Sequence, residues 1–193
     1  KIPQKFMGSS EDPPLIGRST KISWTHRKIH LSSEDSDLIG RLAKLETKVQ
    51  TLEDTDAIRN LKARYAELCD DNYNPDAIAA LFVEDAVWES VGLGRFDGRE
   101  AIRGFFQGAS EIFTFAIHYS LNAQIEVTGD TARARWYLFM PCTVSDGDRA
   151  MWRAGIDDEE YVRVNGRWMF KSKKSTGIFS TPFDAGWAKV RSA

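Results

Sequence analysis

Apolar residues recur at alternating spacings of four and three in the first part of the chain. The residues concerned are Leu38, Leu42, Leu45, Val49 and Leu52. Positions three and four apart share one face of a helix, so this spacing predicts an amphipathic helix. The repeat covers only about two heptads, fewer than the three or four that are typical of an independent coiled coil.

Further helices are predicted from the same kind of spacing. Asp54 is a predicted N-cap, after which apolar residues restart and indicate a second helix. The apolar face of that helix consists of Ile58, Leu61, Tyr65 and Leu68. Shorter helices are predicted over 76–82 and 99–107.

The second half of the chain changes to the alternation of period two that is typical of strands. Strands are predicted over 86–91, 113–127, 131–144, 161–164 and 167–170. Gly129-Asp130 and Asn165-Gly166 are predicted hairpin turns, the second of type I′. Helices first and an antiparallel meander afterwards predict an α+β domain with helices packed on one face of a curved sheet.

The pattern also divides the chain into segments. Residues 1–36 show no sustained period and contain Pro13-Pro14, so we interpret them as an irregular arm. Trp24 and Ile29 are candidates to attach this arm to the domain or to a neighbouring subunit. We predict one domain over 37–185 and a C-terminal tail over 186–193.

Composition narrows the class of protein. The formal net charge of −2 argues against a nucleic-acid-binding protein, which normally carries a basic surplus. The two cysteines, Cys69 and Cys142, cannot form a disulfide framework, and no Cys/His cluster has zinc spacing. Neither an apolar run of membrane-spanning length nor a secretory signal is evident. We therefore predict a cytoplasmic protein that binds neither membrane nor metal.

Several segments, in this order, resemble the SnoaL-like branch of the nuclear-transport-factor-2-like superfamily. They are AIRNLKARYAELCDD, LFVEDAVWE, GREAIRGFF, AIHYSLNAQIEVTGDTARARWYL and EEYVRVNGRWMF. The motifs are most similar to those of bile-acid 7α-dehydratases and hexachlorocyclohexane dehydrochlorinases. The resemblance implies a cone in which N-terminal helices pack on a strongly bent antiparallel sheet, a cystatin-like fold. It also implies an apolar pocket, oligomers of two or three subunits and no organic cofactor.

The resemblance implies three catalytic residues. His118 matches the general base of the family, and Asp70 matches the aspartate that hydrogen-bonds the base. Asp71 is the alternative to Asp70. Tyr65 matches a tyrosine that donates a hydrogen bond or a proton to the substrate oxygen, although its place in an apolar stripe also fits a plain core residue.

Other residues are candidates for the pocket wall. Trp88 matches a pocket tryptophan of the family but also fits the core. Arg163 corresponds to a pocket arginine or is a solvated strand residue. Further apolar candidates for the pocket wall are Trp136, Met140 and Phe170.

These residues predict a cofactor-independent lyase, of dehydratase type, acting on a small to medium apolar cyclic or polycyclic substrate. Isomerisation or cyclisation in the same pocket is an alternative, and so is a non-catalytic binding or assembly domain, because this fold has many functions. The apolar residues opposite His118 predict a subunit interface, with a trimer favoured over a dimer. They are Phe115, Ile117, Tyr119 and Leu121.

Overall fold

The computed structural model describes residues 32–192. Most of the predicted arm, with Trp24 and Ile29, lies outside the described residues. The chain divides into two compact units, 1–40 and 41–193, and the second contains the sheet and the candidate site. The predicted domain boundaries at 36 and 185 stay a prediction.

Four α-helices are formed by the described residues. They are α1 (Ser33–Asp70), α2 (Pro75–Ala79), α3 (Arg99–Gln107) and α4 (Ala109–Ile112). A short 3₁₀ turn, Asp146–Asp148, lies between two long strands. Helix α3 has the bounds that its apolar spacing predicts, and its buried residues Ile102 and Phe106 face the core.

Helix α1 corrects the prediction of two separate helices, because it continues through Asp54 without a break. The Asp54 carboxylate accepts two hydrogen bonds of 2.7 Å from the Arg163 guanidinium and one of 3.1 Å from Trp168 Nε1. These contacts, first of all those from Arg163, lower the pKa of the Asp54 carboxyl. Asp54 is therefore not an N-cap; it links the middle of α1 to the sheet.

Seven strands of the described residues form one curled sheet. They are β1 (Phe82–Ser90), β2 (Gly94–Asp97), β3 (Phe113–Ala116), β4 (Tyr119–Thr128), β5 (Thr131–Val144), β6 (Arg149–Val164) and β7 (Arg167–Pro182). The order is β2-β1-β7-β6-β5-β3, and β4 also pairs with β5.

The sheet is mixed, which corrects the prediction of a fully antiparallel one. Strand β1 runs parallel to β7, while the other pairs are antiparallel. Short turns impose antiparallel pairing on strands that follow each other, but β1 and β7 are joined by most of the domain, so no turn dictates their direction.

Two local features of the sheet depend on backbone conformation. Asn165 and Gly166 have φ of 50° and 78°, which confirms the type I′ turn between β6 and β7. The register of β6 and β7 shifts at Ala154/Gly155, where a Cβ on Gly155 would lie 2.8 Å from the Thr176 carbonyl oxygen. This irregularity bends the long strands and requires a residue without a side chain at position 155.

The predicted strand over 113–127 is interrupted at Ile117 and His118, between β3 and β4. The Ile117 amide bonds the Pro141 carbonyl, whereas the His118 amide bonds the Asp70 carboxylate. The alternation of side chains fits a strand here, but the backbone N–H of His118 donates to the carboxylate at the end of α1 instead of to a carbonyl of a neighbouring strand. The interruption places His118 beside the end of α1.

Candidate active site

Asp70 and His118 are in direct contact. Asp70 is the last residue of α1, and its Oδ1 atom lies 2.7 Å from His118 Nδ1 and 2.9 Å from the His118 backbone nitrogen. A carboxylate only accepts hydrogen bonds, so the imidazole carries its proton on Nδ1 and leaves the lone pair on Nε2. The arrangement orients the ring and prepares Nε2 to act as a base.

The end of α1 is an unfavourable place for a negative charge, because the helix dipole presents its negative pole there. The two N–H donors of His118 compensate this for Asp70. Asn72 and Tyr73 follow with positive φ of 58° and 54°, which turns the chain sharply away from the helix. The sharp turn places the Tyr73 ring edge-on to the imidazole, with 6.0 Å between ring centroids.

His118 lines a cavity of about 310 Å³ inside the curled sheet. A volume of this size is at the lower end of ordinary ligand pockets. The predicted residues Tyr65, Trp88 and Met140 also line it. The structure therefore brings these residues together in one cavity, and it adds Tyr73, Phe105, Phe106 and Phe113 to the apolar wall.

Tyr65 is almost fully buried and accepts a hydrogen bond of 3.0 Å from Trp88 Nε1. Burial raises the pKa of the Tyr65 hydroxyl well above its ordinary value, so this group stays protonated. Trp88 in turn packs on Phe105, with 4.6 Å between ring centroids. Tyr65 is thus a neutral hydroxyl held in a fixed position in the cavity wall.

Three predicted wall residues are not among those that line this cavity. Arg163 pairs instead with the carboxylates of Asp54 and Asp130, at 2.7 and 2.9 Å. Trp136 is buried, and its Nε1 donates a hydrogen bond of 3.3 Å to the Tyr161 hydroxyl. Phe170 is fully buried and stacks on Phe82 in the core.

The sequence reasoning missed a group of buried charges. Lys62 of α1 lies 2.7 Å from Asp157 and 2.5 Å from Glu159, both on β6. Lys173 of β7 lies 2.9 Å from the other oxygen of Asp157 and 2.6 Å from Ser175 Oγ. Lys62, Asp157, Lys173 and Ser175 all line the cavity.

Burial and pairing oppose each other in this group. Burial disfavours the ammonium of Lys62 and by itself would lower its pKa. The attraction and hydrogen bonds of the Asp157 and Glu159 carboxylates have the larger combined effect, so the pKa of Lys62 is raised. Burial likewise disfavours the carboxylate of Asp157, but Lys173 and Lys62 outweigh it and the pKa of Asp157 is lowered. Lys62 is therefore held as the ammonium and Asp157 as the carboxylate, within a group of two basic and two acidic side chains.

A signal for this group was present in the sequence. Asp157, Glu159 and Tyr161 alternate along β6 and share its inner face. Lys62 lies within the apolar stripe of α1, between Ile58 and Tyr65. Charged residues at inward positions on two elements indicate a buried ionic contact, although their pairing is not evident from spacing alone.

The described part of the chain shows no group of three or more His, Cys, Asp or Glu side chains placed to hold a metal ion. Among the helices within residues 32–192, none combines the length and hydropathy that crossing a membrane demands.

Comparison with known proteins gives distant relatives of known name. The chain is 24% identical to gamma-hexachlorocyclohexane dehydrochlorinase of Sphingobium indicum over 107 residues, which is 54% of this chain and 69% of the relative. The solved structure of a type 2 hexachlorocyclohexane dehydrochlorinase (LinA) superposes with a TM-score of 0.66 at 22% identity, covering 70% of this chain and 93% of that one.

Two structures from Novosphingobium aromaticivorans are also similar. A protein provisionally named scytalone dehydratase gives a TM-score of 0.65 at 24% identity, covering 70% of this chain and 91% of that one. A protein described as NTF2-like with a cystatin-like fold gives a TM-score of 0.59 at 26% identity, covering 77% of this chain and 94% of that one. The predicted fold is confirmed. A family model described as a SnoaL-like domain matches residues 50–174, more than half of the sequence, and the chain therefore belongs to the SnoaL-like family.

Proposed function

We propose that this protein is a lyase that eliminates water, or a comparable leaving group, from a small to medium apolar cyclic substrate without a cofactor. The observation that carries the proposal is the 2.7 Å contact between Asp70 and His118 in the wall of an apolar cavity. A protein that only binds a ligand has no need of an imidazole oriented by a carboxylate.

In the proposed reaction, His118 Nε2 takes a proton from a substrate carbon. The electron pair of the broken C–H bond forms the new double bond, and the leaving group departs from the neighbouring carbon with its own bonding pair. Asp70 stabilises the imidazolium that forms, because its negative charge is 2.7 Å away. His118 then returns the proton to solvent or to the departing hydroxide.

Two groups support the developing negative charge on oxygen. The neutral hydroxyl of Tyr65 is a hydrogen-bond donor in the cavity wall. The Lys173 ammonium lies 5.6 Å from the centroid of the Tyr65 ring and lines the same cavity. A carbonyl or leaving oxygen beside these groups is stabilised in surroundings from which most water is excluded.

The relatives support elimination as the reaction class. One is named a dehydrochlorinase and another provisionally a dehydratase, and both names describe the removal of a small molecule from a substrate. Isomerisation or cyclisation would use the same base, and the product distinguishes them, since only elimination changes the mass of the substrate.

The test is turnover by the protein and by His118→Ala. Candidate substrates are β-hydroxy ketones, sterol-like acids, polyketide-like phenols and γ-hexachlorocyclohexane, with products followed by mass spectrometry. We expect kcat/KM to fall about 100- to 10,000-fold in His118→Ala, the usual contribution of a general base. Thr114→Ala, an exposed change on β3, is the matched control.

The melting temperature of His118→Ala is expected to stay close to that of the unchanged protein, because Asp70 keeps its hydrogen bond from the backbone amide of residue 118. Full activity in the folded His118→Ala variant would end the assignment of His118 as the base.

A further inference from the structure

Tyr73 has a buried hydroxyl without a partner. The residue lines the cavity and is only 6% exposed, and its Oη atom has no hydrogen-bond partner among the described residues. The centroid of its ring lies 6.0 Å from that of His118 and 6.5 Å from that of Phe113. A buried hydroxyl that makes no hydrogen bond is unfavourable, so its retention beside the proposed base suggests a ligand partner.

A second cavity residue, Arg153, is a cation without an anionic partner among the described residues. It lies on the inner face of β6, opposite Met140 of β5 and Ser180 of β7, and lines the cavity. Its guanidinium carbon lies 5.3 Å from the centroid of the Phe113 ring. Within residues 32–192 it makes no salt bridge and no hydrogen bond. Stacking on a ring leaves the N–H edges of a guanidinium available to a ligand.

The other charges of the cavity do not compensate Arg153. Lys62 and Lys173 are balanced by Asp157 and Glu159 through direct contacts. Asp70 accepts hydrogen bonds from the backbone N–H and the ring N–H of His118 through one carboxylate oxygen. Arg153 is therefore the cation of the cavity lining that is left without a direct carboxylate contact in the described chain.

We propose that Tyr73 and Arg153, which both lie beside the Phe113 ring, form a subsite for a substrate carboxylate. This proposal rests on the function proposed above and specifies its substrate class as an apolar ring compound that carries a carboxylic acid. Arg153 binds the carboxylate through two parallel N–H donors, and the Tyr73 hydroxyl donates a further hydrogen bond. The apolar ring then lies against the aromatic wall, within reach of His118.

The first test uses isothermal titration calorimetry to compare two ligands of nearly equal shape, the anion 2-naphthoate and the neutral 2-naphthamide. We expect the unchanged protein to bind the naphthoate about 10- to 100-fold more tightly, the usual gain from a charge-assisted bidentate contact. Arg153→Met is expected to abolish this preference, and Arg153→Lys to keep part of it. Equal binding of the two ligands by the unchanged protein would overturn the proposal, as would a full preference in Arg153→Met.

Arg135→Met is the matched control for loss of an arginine. Arg135 lies on β5 outside the cavity and pairs with Asp158, so its replacement is expected to leave the preference for the naphthoate unchanged. A preference lost equally in Arg135→Met would show a general effect of charge and contradict the subsite.

Tyr73→Phe separates a binding role from a structural one. Removing a buried hydroxyl that lacks a partner is expected to leave the melting temperature equal or higher, whereas binding of the naphthoate weakens about 5- to 20-fold. Unchanged affinity would exclude Tyr73 from the subsite. His118→Ala is expected to retain the naphthoate preference, so failure of the proposed reaction and failure of this subsite give different results.

A separate observation concerns the first half of α1. Residues 41–53 are all exposed, including Leu42, Leu45, Val49 and Leu52 at 52–69%. Helical segments of this length are marginal in water by themselves. A row of apolar residues along such a helix indicates a partner.

The charged residues beside the apolar row favour a second copy of this chain as the partner. If Leu42 and Val49 occupy a positions and Leu45 and Leu52 d positions, Lys48 lies at g and Glu53 at e. In a parallel, in-register coiled coil each g residue faces the e residue five positions later on the other helix. Lys48 then lies beside Glu53 of the second copy.

We infer that residues 41–53 form a parallel, in-register contact with a second copy of this chain. Sedimentation velocity of the full chain tests it by charge exchange. Lys48→Glu alone places like charges together and is expected to weaken self-association about 5-fold or more, and adding Glu53→Lys is expected to restore it. The same association constant in all three proteins would overturn the inference.

Cross-linking identifies what covers the helix. Leu45→Cys is expected to form a disulfide between two copies under mild oxidation, since equal d positions face each other, while Lys44→Cys on the neighbouring face is not. Cys69 and Cys142 are buried and give little background. Protection of Leu45→Cys without a cross-link would show that another segment, such as residues 1–31, occupies this face.

Discussion

Asp70 uses a single carboxylate oxygen to hold both the backbone and the ring of His118. The backbone contact fixes the position of the residue, and the ring contact fixes the tautomer. In the proposed reaction, this double contact makes Asp70 a positioning residue that also stabilises the charge formed on the imidazole. The part proposed for Tyr65 is that of a neutral hydroxyl, because burial raises its pKa and keeps it protonated.

Replacing Asp70 by Asn tests this division of tasks. The amide removes the negative charge beside Nδ1, so the imidazolium formed in the reaction loses its partner. We expect kcat to fall about 10,000-fold while KM changes little, as in other His–Asp pairs. Steady-state kinetics of Asp70→Asn and of Asp71→Asn distinguish the two neighbours. A large loss in the Asp71 variant, with none in the Asp70 variant, would reverse the assignment.

At the scale of elements, two contacts shape the site. The Asp54–Arg163 pair joins α1 to β6, and the irregularity at Gly155 lets β7 approach β6 closely beside the cavity. Both connect residues that are distant along the chain. The position of Tyr65 and Asp70 on α1 thus depends on a contact three to four turns earlier in the same helix.

Asp54→Asn is expected to lower the free energy of unfolding by about 2 kcal/mol at pH 7. The reason is that the Arg163 guanidinium loses the negative charge of its carboxylate partner. Arg163 lowers the pKa of Asp54 in the folded protein. The pair therefore stabilises above the unfolded pKa of about 4, and the stabilisation is lost as pH falls through the lower folded value. Urea unfolding of both proteins between pH 7 and 3 measures this. A difference that does not shrink with acid would contradict it.

Gly155→Ala is expected to destabilise the protein by about 1–3 kcal/mol, since the new Cβ would lie 2.8 Å from a backbone oxygen. Gly104→Ala in α3 is the control, because no atom lies within 4 Å of its Cβ, and it is expected to stabilise slightly. Thermal unfolding compares the two. An equal effect at both positions would show that the close approach at Gly155 is not decisive.

At the scale of the whole molecule, the outer side of the sheet carries exposed large residues. Phe115, Tyr119 and Leu121 are 45–53% exposed, and Tyr137 is 41% exposed beside them. Ile117 is partly buried, because it lies in the interruption between β3 and β4. An apolar patch of this kind is typical of an interface.

We expect these residues to be covered in a homo-oligomer, with a trimer favoured over a dimer. Leu121→Lys is expected to weaken the assembly, because burying an unpaired ammonium costs more than the leucine gains. Sedimentation velocity at micromolar concentration checks this, with Thr128→Lys at the far end of β4 as control. A monomer in the unchanged protein would rule the interface out.

The sequence by itself determined the local structure and the identity of the proposed base and its partner. The bounds of α3 and β5 and the Asn165-Gly166 turn follow from spacing and turn chemistry, which act between neighbours in the chain. The family motifs indicated Asp70 and His118 together. Only the tertiary structure decided the parallel β1–β7 pair, the continuous α1, and the placement of Arg163 on Asp54 rather than in the cavity. It also decided the buried charges around Lys62 and the place of Arg153. The pairs Lys62–Asp157 and Asp54–Arg163 join residues 95 and 109 positions apart, and such partners are chosen by burial and charge balance, which leave no period in the sequence.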